Sequence, residues 1–345
     1  MKYENLLISK DHTVREALQL LDTAAKKVLF VVENMQLIGA VSDGDVRRWI
    51  LKSESLDSNV SEIMNKTPYY INTIDRELAF DKMNKLGITA IPVVDENNVV
   101  VEIFSWIEDE ETTAEKVDIP VVIMAGGKGE RLKPFTNILP KPLIPINEKP
   151  IIEHIMDSFN HYGCNEFYIT LNYKKAMLKA YFEEVDYEYT IKYVEESKPL
   201  GTGGSLYYLA DSLQETFFVS NCDILLDVDY NDVYKYHKKN GNIVTILTSL
   251  IQYAIPYGVV EIKSDGQVDK MSEKPQQDHL VNTGVYLVEP DIFNCIDVEE
   301  YVQMPDLVER LLSNNQKVGT YPIGKDQWMD MGQLDDLEKM KSKLE

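Results

Sequence analysis

A glycine-rich turn directly after a short apolar run is the feature that most constrains this chain. Residues 121–146 read VVIMAGGKGERLKPFTNILPKPLIPI. The first four residues are of the apolar type that fills a buried parallel strand. The glycines that follow let the backbone turn tightly and bring its N–H groups close to a ligand. We therefore expect a strand that ends in a ligand-binding loop.

Cations gather on this loop within an acidic chain. Lys128, Arg131, Lys133 and Lys141 fall within fourteen residues and are opposed only by Glu130, whereas the 345-residue chain has a net charge of -22. Such a local basic cluster predicts a bound anion, most simply the phosphates of a nucleotide. Two familiar phosphate loops are excluded by spacing, because the loop fits neither G-x-x-x-x-G-K-[ST] nor G-x-G-x-x-G.

The overall composition predicts a cytoplasmic protein that binds neither nucleic acid nor membranes. Cys164, Cys222 and Cys295 are widely spaced and odd in number, so disulfides and a zinc site are not expected. The first residues are too charged for a signal peptide, and no uncharged apolar run approaches membrane-spanning length. Residues 1–118 carry 13 Lys and Arg against 22 Asp and Glu, and the remainder is also acidic. A broad positive face for nucleic acid is therefore not expected.

Residues 1–118 contain two copies of one structural unit. Each copy reads as helix, strand, short turn and strand, followed by the start of another helix. Thr13 is the predicted N-cap of the first helix, with Glu16 completing a capping box. The predicted segments are a helix that opens within 9–18 and strands at 28–32 and 37–41, then a helix at 74–80 and strands at 90–94 and 99–104.

This duplicated unit resembles a tandem pair of cystathionine-β-synthase-type (CBS) repeats, an α+β module. The first copy ends in V-S-D-G-D at residues 41–45, close to the [ST]-x-x-D ending of that family. The resemblance implies that Ser42 and Asp45 hold the phosphate and ribose of an adenine nucleotide, and that the pair forms a homodimer contact. A packing role without nucleotide is the alternative. The second copy has Glu108 where Asp is usual, and the charge run at 108–116 predicts a linker.

From residue 119 onward, helical and strand-like segments alternate. This alternation predicts an α/β domain with a mostly parallel sheet, whose ligands gather at the carboxyl ends of the strands. The predicted helices are 151–162, 174–182, 202–210, 228–239, 304–313 and 333–343. The predicted strands are 166–171, 187–194, 216–220, 243–250, 258–262 and 281–288.

Two aspartates follow predicted strands or lie between apolar residues. Asp223 ends the run F-F-V-S-N-C-D, and Asp330 lies within W-M-D-M-G near the end of the sequence. Carboxylates are rarely buried without a partner. Because Mg²⁺ commonly binds one or two protein carboxylates together with substrate phosphates, the pair predicts a Mg²⁺ site.

Taken in order, the motifs of residues 119–345 resemble those of the sugar-1-phosphate nucleotidyltransferases. They are A-G-G-x-G-x-R-L with P-K-P-L, then L-G-T-G-G, the aspartate after a strand, E-K-P, N-T-G and W-x-D-x-G. The resemblance implies an α/β fold with a Rossmann-like mixed sheet, preceded here by the tandem CBS domain at 1–118. Glu130 departs from the family, which usually has Thr or Ser there, and Gln333 replaces the frequent Thr.

The resemblance also assigns roles to individual residues. Arg131, Lys141 and Asp223 would be catalytic, and Asp223 and Asp330 would hold Mg²⁺. The expected nucleotide-binding residues are Met124, Ala125, Gly126, Gly127, Lys128, Gly129, Glu196, Gly201, Thr202 and Gly203. The expected sugar-phosphate-binding residues are Tyr257, Gly258, Glu273, Lys274 and Asn282.

Specificity for the base and the sugar is predicted less directly. Glu196 or Glu195 facing the base would favour GTP, because guanine offers two neighbouring donors to a carboxylate; a solvated charge pair is the alternative. The combination of CBS pair and catalytic domain most resembles the PtmE-type glucosamine-1-phosphate guanylyltransferases, which make GDP-glucosamine for legionaminic acid in bacterial surface glycans. Mannose, heptose or glucose 1-phosphate with another base remains an alternative.

Two readings from other functional classes also stay open. Asp227 and Asp229 form a D-x-D motif, which occurs in metal-dependent glycosyltransferases, although its position at a helix start favours a cap. A nucleotide sensor without catalysis, built from the same two domains, is the other reading. The presence of all four expected site residues, Arg131, Lys141, Asp223 and Asp330, argues against that loss of activity.

Overall fold

The computed structural model describes residues 4–23, 27–86, 88–105, 116–332 and 334–343. The chain divides into two compact units, Met1–Thr113 and Ala114–Glu345. The predicted linker lies almost entirely outside the described residues. Val117, which we expected in the first domain, is buried in the core of the second unit, where its N–H bonds to the carbonyl oxygen of Tyr162 at 2.7 Å.

The first unit contains both predicted copies of the repeat. Its elements are β1 (Leu7–Ser9), α1 (Val14–Thr23), β2 (Val28–Glu33), β3 (Gln36–Ser42), α2 (Asp43–Leu51), α3 (Arg76–Leu86), β4 (Ala90–Val94) and β5 (Val100–Ser105). Thr13 and Glu16 form the predicted capping box before α1, since the Thr13 N–H donates to Glu16 Oε2 at 2.7 Å. The helix of the second copy begins and ends later than predicted.

The two copies share one core. β1, β2 and β3 form one sheet and β4 and β5 form another, and the Leu37 N–H donates to the carbonyl oxygen of Asn98 at 2.9 Å between the copies. Phe30 and Leu37 of the first copy pack with Val94 and Ile103 of the second. Neither copy alone could bury these side chains, which explains why the repeat occurs as a pair.

The second unit has the mixed α/β architecture that the sequence predicts. Its elements are β6 (Val121–Met124), α4 (Phe135–Ile138), β7 (Pro145–Ile146), β8 (Lys149–Pro150), α5 (Ile151–His161), β9 (Glu166–Leu171), α6 (Lys175–Glu183), β10 (Thr190–Glu195), α7 (Gly201–Gly204), β11 (Phe217–Asn221), β12 (Ile224–Leu226), α8 (Tyr230–Asn240), β13 (Val244–Ala254), β14 (Val259–Ile262), β15 (Val268–Ser272), β16 (Gln276–Val288), α9 (Met304–Ser313), β17 (Val318–Ile323), β18 (Trp328–Asp330) and α10 (Leu334–Lys343).

A seven-stranded sheet in the order β10-β9-β6-β11-β16-β13-β17 organises this unit. β10, β9, β6 and β11 run parallel, and β16 is antiparallel to its neighbours β11 and β13. The register pairs Met124 with both Thr170 and Asn221 at the strand ends. The loops that follow β6, β9, β10 and β11 therefore leave the sheet at one edge, where ligands are expected.

Aromatic packing beneath the sheet fixes α5 and α8 in place. The Phe159 ring stacks on Tyr230 with centroids 4.0 Å apart and lies 5.1 Å from Phe218, and all three side chains are fully buried. Truncating such a residue to Ala typically costs about 3–5 kcal/mol. The short β12–β18 sheet packs beside α5 in the same core.

The predicted helix at 202–210 is divided into two helical types. α7 spans four residues and the chain continues as a 3₁₀ helix, Ser205–Leu209. Glycine is a poor former of regular helix, and three of the four residues of α7 are glycine. Within the described part of the chain, no helix is both long and apolar enough to cross a membrane.

Candidate active site

The predicted glycine loop connects β6 to a 3₁₀ turn, Glu130–Leu132. Gly129 has φ +64°, and a Cβ there would lie 2.9 Å from Thr136 Cγ2 and 3.0 Å from Lys141 Cβ. Only glycine fits this position without strain. The loop therefore passes tightly against Lys141, which brings this cation to the end of β6.

The glycine loop forms one wall of a cleft of about 440 Å³ at the carboxyl ends of the strands. Residues predicted to bind nucleotide or phosphate make up much of its lining: Met124, Gly126, Gly127, Gly129, Arg131, Lys141, Glu196, Gly201, Thr202 and Asp223. Ala125, Lys128 and Gly203 lie outside the lining. Ala125 is buried, with its N–H bonded to Thr170 Oγ1 at 3.2 Å, and Lys128 is exposed.

Glu196 presents a buried carboxylate to this cleft. The side chain is only 7% exposed, and a Cβ on Gly126 would lie 3.1 Å from its Oε1. Burial raises the pKa of Glu196, opposed by hydrogen bonds from the Leu200 N–H and the Ser205 hydroxyl. Glu195, the other candidate, is on the surface and forms ion pairs with lysines of α6. Of the two, only Glu196 lines the cleft.

The second glycine turn packs against the start of α9. The N–H groups of Gly203 and Gly204 donate to the Val302 carbonyl oxygen at 2.9 and 3.1 Å. A Cβ on Gly201, which has φ +79°, would lie 2.5 Å from the same oxygen. The Thr202 N–H and hydroxyl both bond to Gln303 Oε1, at 3.1 and 2.8 Å. These glycines thus allow close backbone packing, which shapes the cleft indirectly.

Lys141 forms an ion pair with Asp223 at the bottom of the cleft. Both side chains are about nine-tenths buried, at 12% and 11% exposed. The pair places an ammonium group beside the carboxylate at the end of β11. Arg131 also lines the cleft but is exposed, which leaves its guanidinium group accessible to a ligand.

Asp330 lies beside this ion pair because β12 pairs with β18. Its pKa is raised to about 6, first by burial and next by the negative charge of Asp223. Its Oδ1 is buried and has no hydrogen-bond partner among the described residues. A cation between the two carboxylates would reduce their mutual repulsion and give the buried oxygen of Asp330 a partner. The donor set therefore fits a hard divalent ion. Within the described ranges, no cluster of three or more His, Cys, Asp or Glu could hold a metal.

The predicted sugar-side residues form a separate group that does not line this cleft. Tyr257 and Lys274 flank the β14–β15 hairpin, where the Lys274 N–H donates to the Tyr257 carbonyl oxygen at 3.2 Å. A Cβ on Gly258 would lie 3.0 Å from Glu273 Oε2. Asn282 donates to the Tyr286 hydroxyl at 2.6 Å and accepts from the Gly284 N–H at 2.9 Å.

Comparison with known families identifies the second unit. The nucleotidyl transferase family matches residues 120–345. The chain belongs to this family. The CBS domain family matches residues 1–52 and 60–107, in agreement with the duplicated unit.

Curated relatives of the nucleotidyl transferase domain include enzymes named for guanine and uracil nucleotides. The mannose-1-phosphate guanylyltransferase catalytic subunit beta of Dictyostelium discoideum is 33% identical over 222 residues, which is 62% of this chain and 61% of the relative. The UTP–glucose-1-phosphate uridylyltransferase of Synechocystis is 28% identical over 236 residues, 62% of this chain and 60% of the relative. The chain thus spans about three fifths of the length of these relatives.

Solved structures show the same fold. HddC from Yersinia pseudotuberculosis has a TM-score of 0.53 at 23% identity, covering 66% of this chain and 100% of HddC. A putative glucose-1-phosphate thymidylyltransferase from Bacillus anthracis has a TM-score of 0.52 at 18% identity, covering 65% of this chain and 94% of that protein. At these identities the likeness establishes the fold alone.

Several residues that line the nucleotidyl transferase cleft were not among the predicted binding residues. They are Glu130, Leu132, Thr170, Pro199, Asn221, Cys222, Tyr301 and Gln303. Asn221 and Cys222 could have been found, because they lie within the strand-end run that gives Asp223. Tyr301 and Gln303 belong to a loop without a recognisable motif, so only the tertiary structure reveals them.

The CBS unit brings Ser42 and Asp45 together as a helix cap. The Ser42 N–H and hydroxyl donate to Asp45 Oδ2 at 2.8 and 2.6 Å, while Asp45 Oδ1 accepts from Arg48 at 2.5 Å. Both carboxylate oxygens of Asp45 therefore have partners within the chain. An adenine nucleotide would have to share or displace these bonds.

Proposed function

We propose that the chain is a sugar-1-phosphate guanylyltransferase. It would transfer GMP from GTP to a sugar 1-phosphate, giving a GDP-sugar and pyrophosphate. The observation that carries this proposal is the group of Lys141, Asp223 and Asp330 at the end of a glycine loop. This group offers one cation for phosphate and two carboxylates for a metal, and Lys141 and Asp223 line the cleft while Asp330 lies beside them. The names of the curated relatives support the same reaction class.

The chemistry requires alignment and charge neutralisation more than proton transfer. The sugar phosphate is already ionised at neutral pH, so its oxygen can attack the α-phosphorus of GTP without a general base. The new O–P bond forms as the bond from the α-phosphorus to the bridging oxygen breaks, and pyrophosphate leaves. Arg131 and Lys141 would neutralise charge in this in-line transition state. The N–H groups of the glycine loop would hold the phosphates.

Asp223 and Asp330 would hold a Mg²⁺ ion when substrate is bound. Bound Mg²⁺ would supply charge stabilisation to the phosphates and to the leaving pyrophosphate. The two carboxylates leave most coordination positions for phosphate oxygens and water, as Mg²⁺ prefers. The orphaned Oδ1 of Asp330 supports this assignment.

Glu196 would select guanine. An ionised carboxylate accepts hydrogen bonds and donates none, and guanine presents N1–H and its 2-amino group side by side. Glu196 borders the cleft beside Gly126, next to the loop that would hold the phosphates. Uracil and thymine offer a single donor at N3 and would bind this carboxylate less well.

The proposed sugar is glucosamine 1-phosphate, for the synthesis of legionaminic acid in bacterial surface glycans. This choice rests on the resemblance of the CBS-plus-transferase arrangement to the PtmE type. Mannose 1-phosphate is the second candidate, because the guanylyltransferase relatives carry that name. Tyr257, Gly258, Glu273, Lys274 and Asn282 would contact the sugar phosphate from the β14–β15 side of the domain.

The CBS pair would provide a homodimer contact and an adenine-nucleotide site at Ser42 and Asp45. Within the nucleotidyl transferase domain, the glycosyltransferase reading has weaker support. Asp229 caps α8, accepting from the N–H groups of Asn231 and Asp232 at 3.1 and 3.2 Å. Asp229 of the D-x-D motif therefore acts as a helix cap.

The decisive experiment measures pyrophosphate release across a matrix of nucleoside triphosphates and sugar 1-phosphates. GTP with glucosamine 1-phosphate should give the highest kcat/KM, and omission of Mg²⁺ should abolish turnover. Release with dTTP or UTP but not GTP would refute the guanine assignment. Sugar transfer from a nucleotide sugar, without pyrophosphate, would instead support a glycosyltransferase.

A further inference from the structure

Lys174 lies in the loop between β9 and α6, at the N-cap of α6, and binds the loop that follows the glycine turn. Its ammonium group donates to the carbonyl oxygens of Thr136, Asn137 and Ile138 at 3.1, 2.8 and 2.8 Å. These carbonyls belong to the last turn of α4, where helix carbonyls lack N–H partners within the helix. An ammonium group has three donors, so its bonding capacity matches these three acceptors.

The bonded turn is part of the loop that carries Arg131. Thr136 is buried, and its hydroxyl donates to the Gly129 carbonyl oxygen at 2.9 Å. This bond closes residues 129–136 into a compact loop with Arg131 inside it. The same loop presses on Lys141, because Gly129 fits between the side chains of Thr136 and Lys141.

The segment that contains Lys174 contacts both ends of the glycine loop. At the near end, the Tyr173 N–H reaches the Gly126 carbonyl oxygen at 3.5 Å. At the far end, Lys174 binds the α4 turn. Lys174 also has φ +53°, in the left-handed region that side chains rarely adopt. Such a conformation persists only where the surrounding structure imposes it.

We infer that Lys174 is a positioning residue for nucleotidyl transfer. Its ammonium group fixes residues 129–138 against the β9–α6 connection, so that Arg131 and Lys141 meet the phosphates in a set geometry. This inference rests on the proposed function. In this inference Lys174 does not contact substrate, and it acts only through the loop that it binds.

The test compares three single variants of the full chain. Lys174→Asn keeps the left-handed backbone, which Asn tolerates, but is too short to reach the α4 carbonyls. Lys174→Arg keeps charge and donors. Lys175→Asn is the matched control, because Lys175 is the next residue and forms only a surface ion pair with Glu195, at 2.5 Å.

We expect Lys174→Asn to lower kcat/KM by about 10- to 100-fold, as expected for misplaced catalytic groups. The loss should fall mainly on kcat, since the cations act most strongly in the transition state. Lys174→Arg should recover part of the loss, and Lys175→Asn should match the unmodified protein. Equal kcat/KM in Lys174→Asn and Lys175→Asn would overturn the inference.

Hydrogen–deuterium exchange tests the hydrogen bonds from Lys174 to the α4 turn independently of activity. Backbone amides of residues 129–139 should exchange faster in Lys174→Asn, while those of β6, β9 and β11 stay protected. Unchanged exchange in 129–139, or faster exchange throughout the domain with a lower melting temperature, would overturn the inference. If the unmodified protein releases no pyrophosphate with any substrate pair, the proposed function fails. Hydrogen–deuterium exchange then decides by itself whether Lys174 holds residues 129–139 in place.

Discussion

The backbone N–H of Met331 donates a hydrogen bond to the carbonyl oxygen of Asp223 at 2.9 Å. This bond continues the β12–β18 pairing, in which Ile224 lies opposite Asp330. Two aspartates from distant parts of the sequence are thereby fixed side by side. Lys141 neutralises one of them, while the second keeps a raised pKa and an orphaned oxygen. A bound cation would give this buried oxygen of Asp330 the partner that it lacks among the described residues.

Replacing either aspartate should remove metal-dependent turnover. Asp223→Asn and Asp330→Asn should each lower kcat by about 10²–10³-fold, the usual loss on removing a group that stabilises transition-state charge. The measurement is pyrophosphate release against Mg²⁺ concentration. Asp227→Asn is the control, because Asp227 belongs to the D-x-D pair outside this group. Full Mg²⁺-dependent turnover in the double variant, or loss only in Asp227→Asn, would contradict the metal assignment.

Removing Lys141 should weaken the fold and abolish transfer. Lys141→Met leaves the Asp223 carboxylate without its ion-pair partner, and breaking a buried ion pair costs about 3–5 kcal/mol. Mg²⁺ should consequently raise the melting temperature of this variant more than that of the unmodified protein. Lys192→Met, which removes an exposed ion pair with Glu166, is the control. A Mg²⁺ effect of equal size in all three proteins would argue against the shared cation site.

Glu196→Gln should relax selectivity for the base. A hydrogen bond to a charged group contributes about 1.5–3 kcal/mol, so KM for GTP should rise by about 10- to 100-fold. Turnover with UTP should change less, and the GTP-to-UTP ratio of kcat/KM should fall. Glu195→Gln is the matched control, since Glu195 pairs with Lys175 and Lys179 at the surface. An unchanged ratio in Glu196→Gln would remove the guanine contact.

Sequence periodicity and motif order predicted the architecture because both signals are local. The apolar run of β6 and the repeated units of the CBS pair are readable from neighbouring residues. Asp223 could be placed at the cleft because it follows a buried strand, and strand ends share one edge of a parallel sheet. Asp330 was predicted through its motif and paired with Asp223 by chemistry, whereas the β12–β18 pairing that places the two side by side required the structure.

Features that depend on tertiary contacts could not be predicted. Gly203 packs closely on α9, since a Cβ there would lie 2.8 Å from Leu307 Cδ1, and no local sequence signal reveals this contact. Lys174 belongs to no sequence motif, because its role depends on hydrogen bonds to three carbonyl oxygens of a different loop. Gln303 likewise acts through Thr202, about a hundred residues earlier in the chain.

Nucleotide binding by the CBS unit can be separated from its folding. Asp45→Asn should lose part of the capping box and destabilise this unit by about 1 kcal/mol. Calorimetry of the full chain with AMP, ADP and ATP should show binding of at least one nucleotide, and Asp45→Asn should weaken it. Thr13→Ala, which removes the cap of α1, is the control for lost capping alone. If none of the three nucleotides gives heat of binding, the adenine-nucleotide site is refuted, and helix capping is the remaining role of Ser42 and Asp45.

His237 should make stability depend on pH in the mildly acidic range. The ring is fully buried, with Nδ1 2.7 Å from Thr245 Oγ1 and Nε2 3.1 Å from Glu289 Oε1. Burial lowers the pKa of His237, opposed by the negative charge of Glu289, and the nearby Lys238 lowers it further.

The unfolded chain therefore binds this proton more readily than the folded protein does. The contribution to stability is complete above the unfolded value of about 6.5 and is lost as the pH falls below it. Urea unfolding at pH 7.5 and 5.5 should show a smaller pH-dependent loss in His237→Gln than in the unmodified protein. The lowered pKa of Glu289 keeps that carboxylate ionised between pH 5.5 and 7.5, so its own titration does not contribute to the difference between the two proteins. An equal loss in both proteins would place the titration elsewhere.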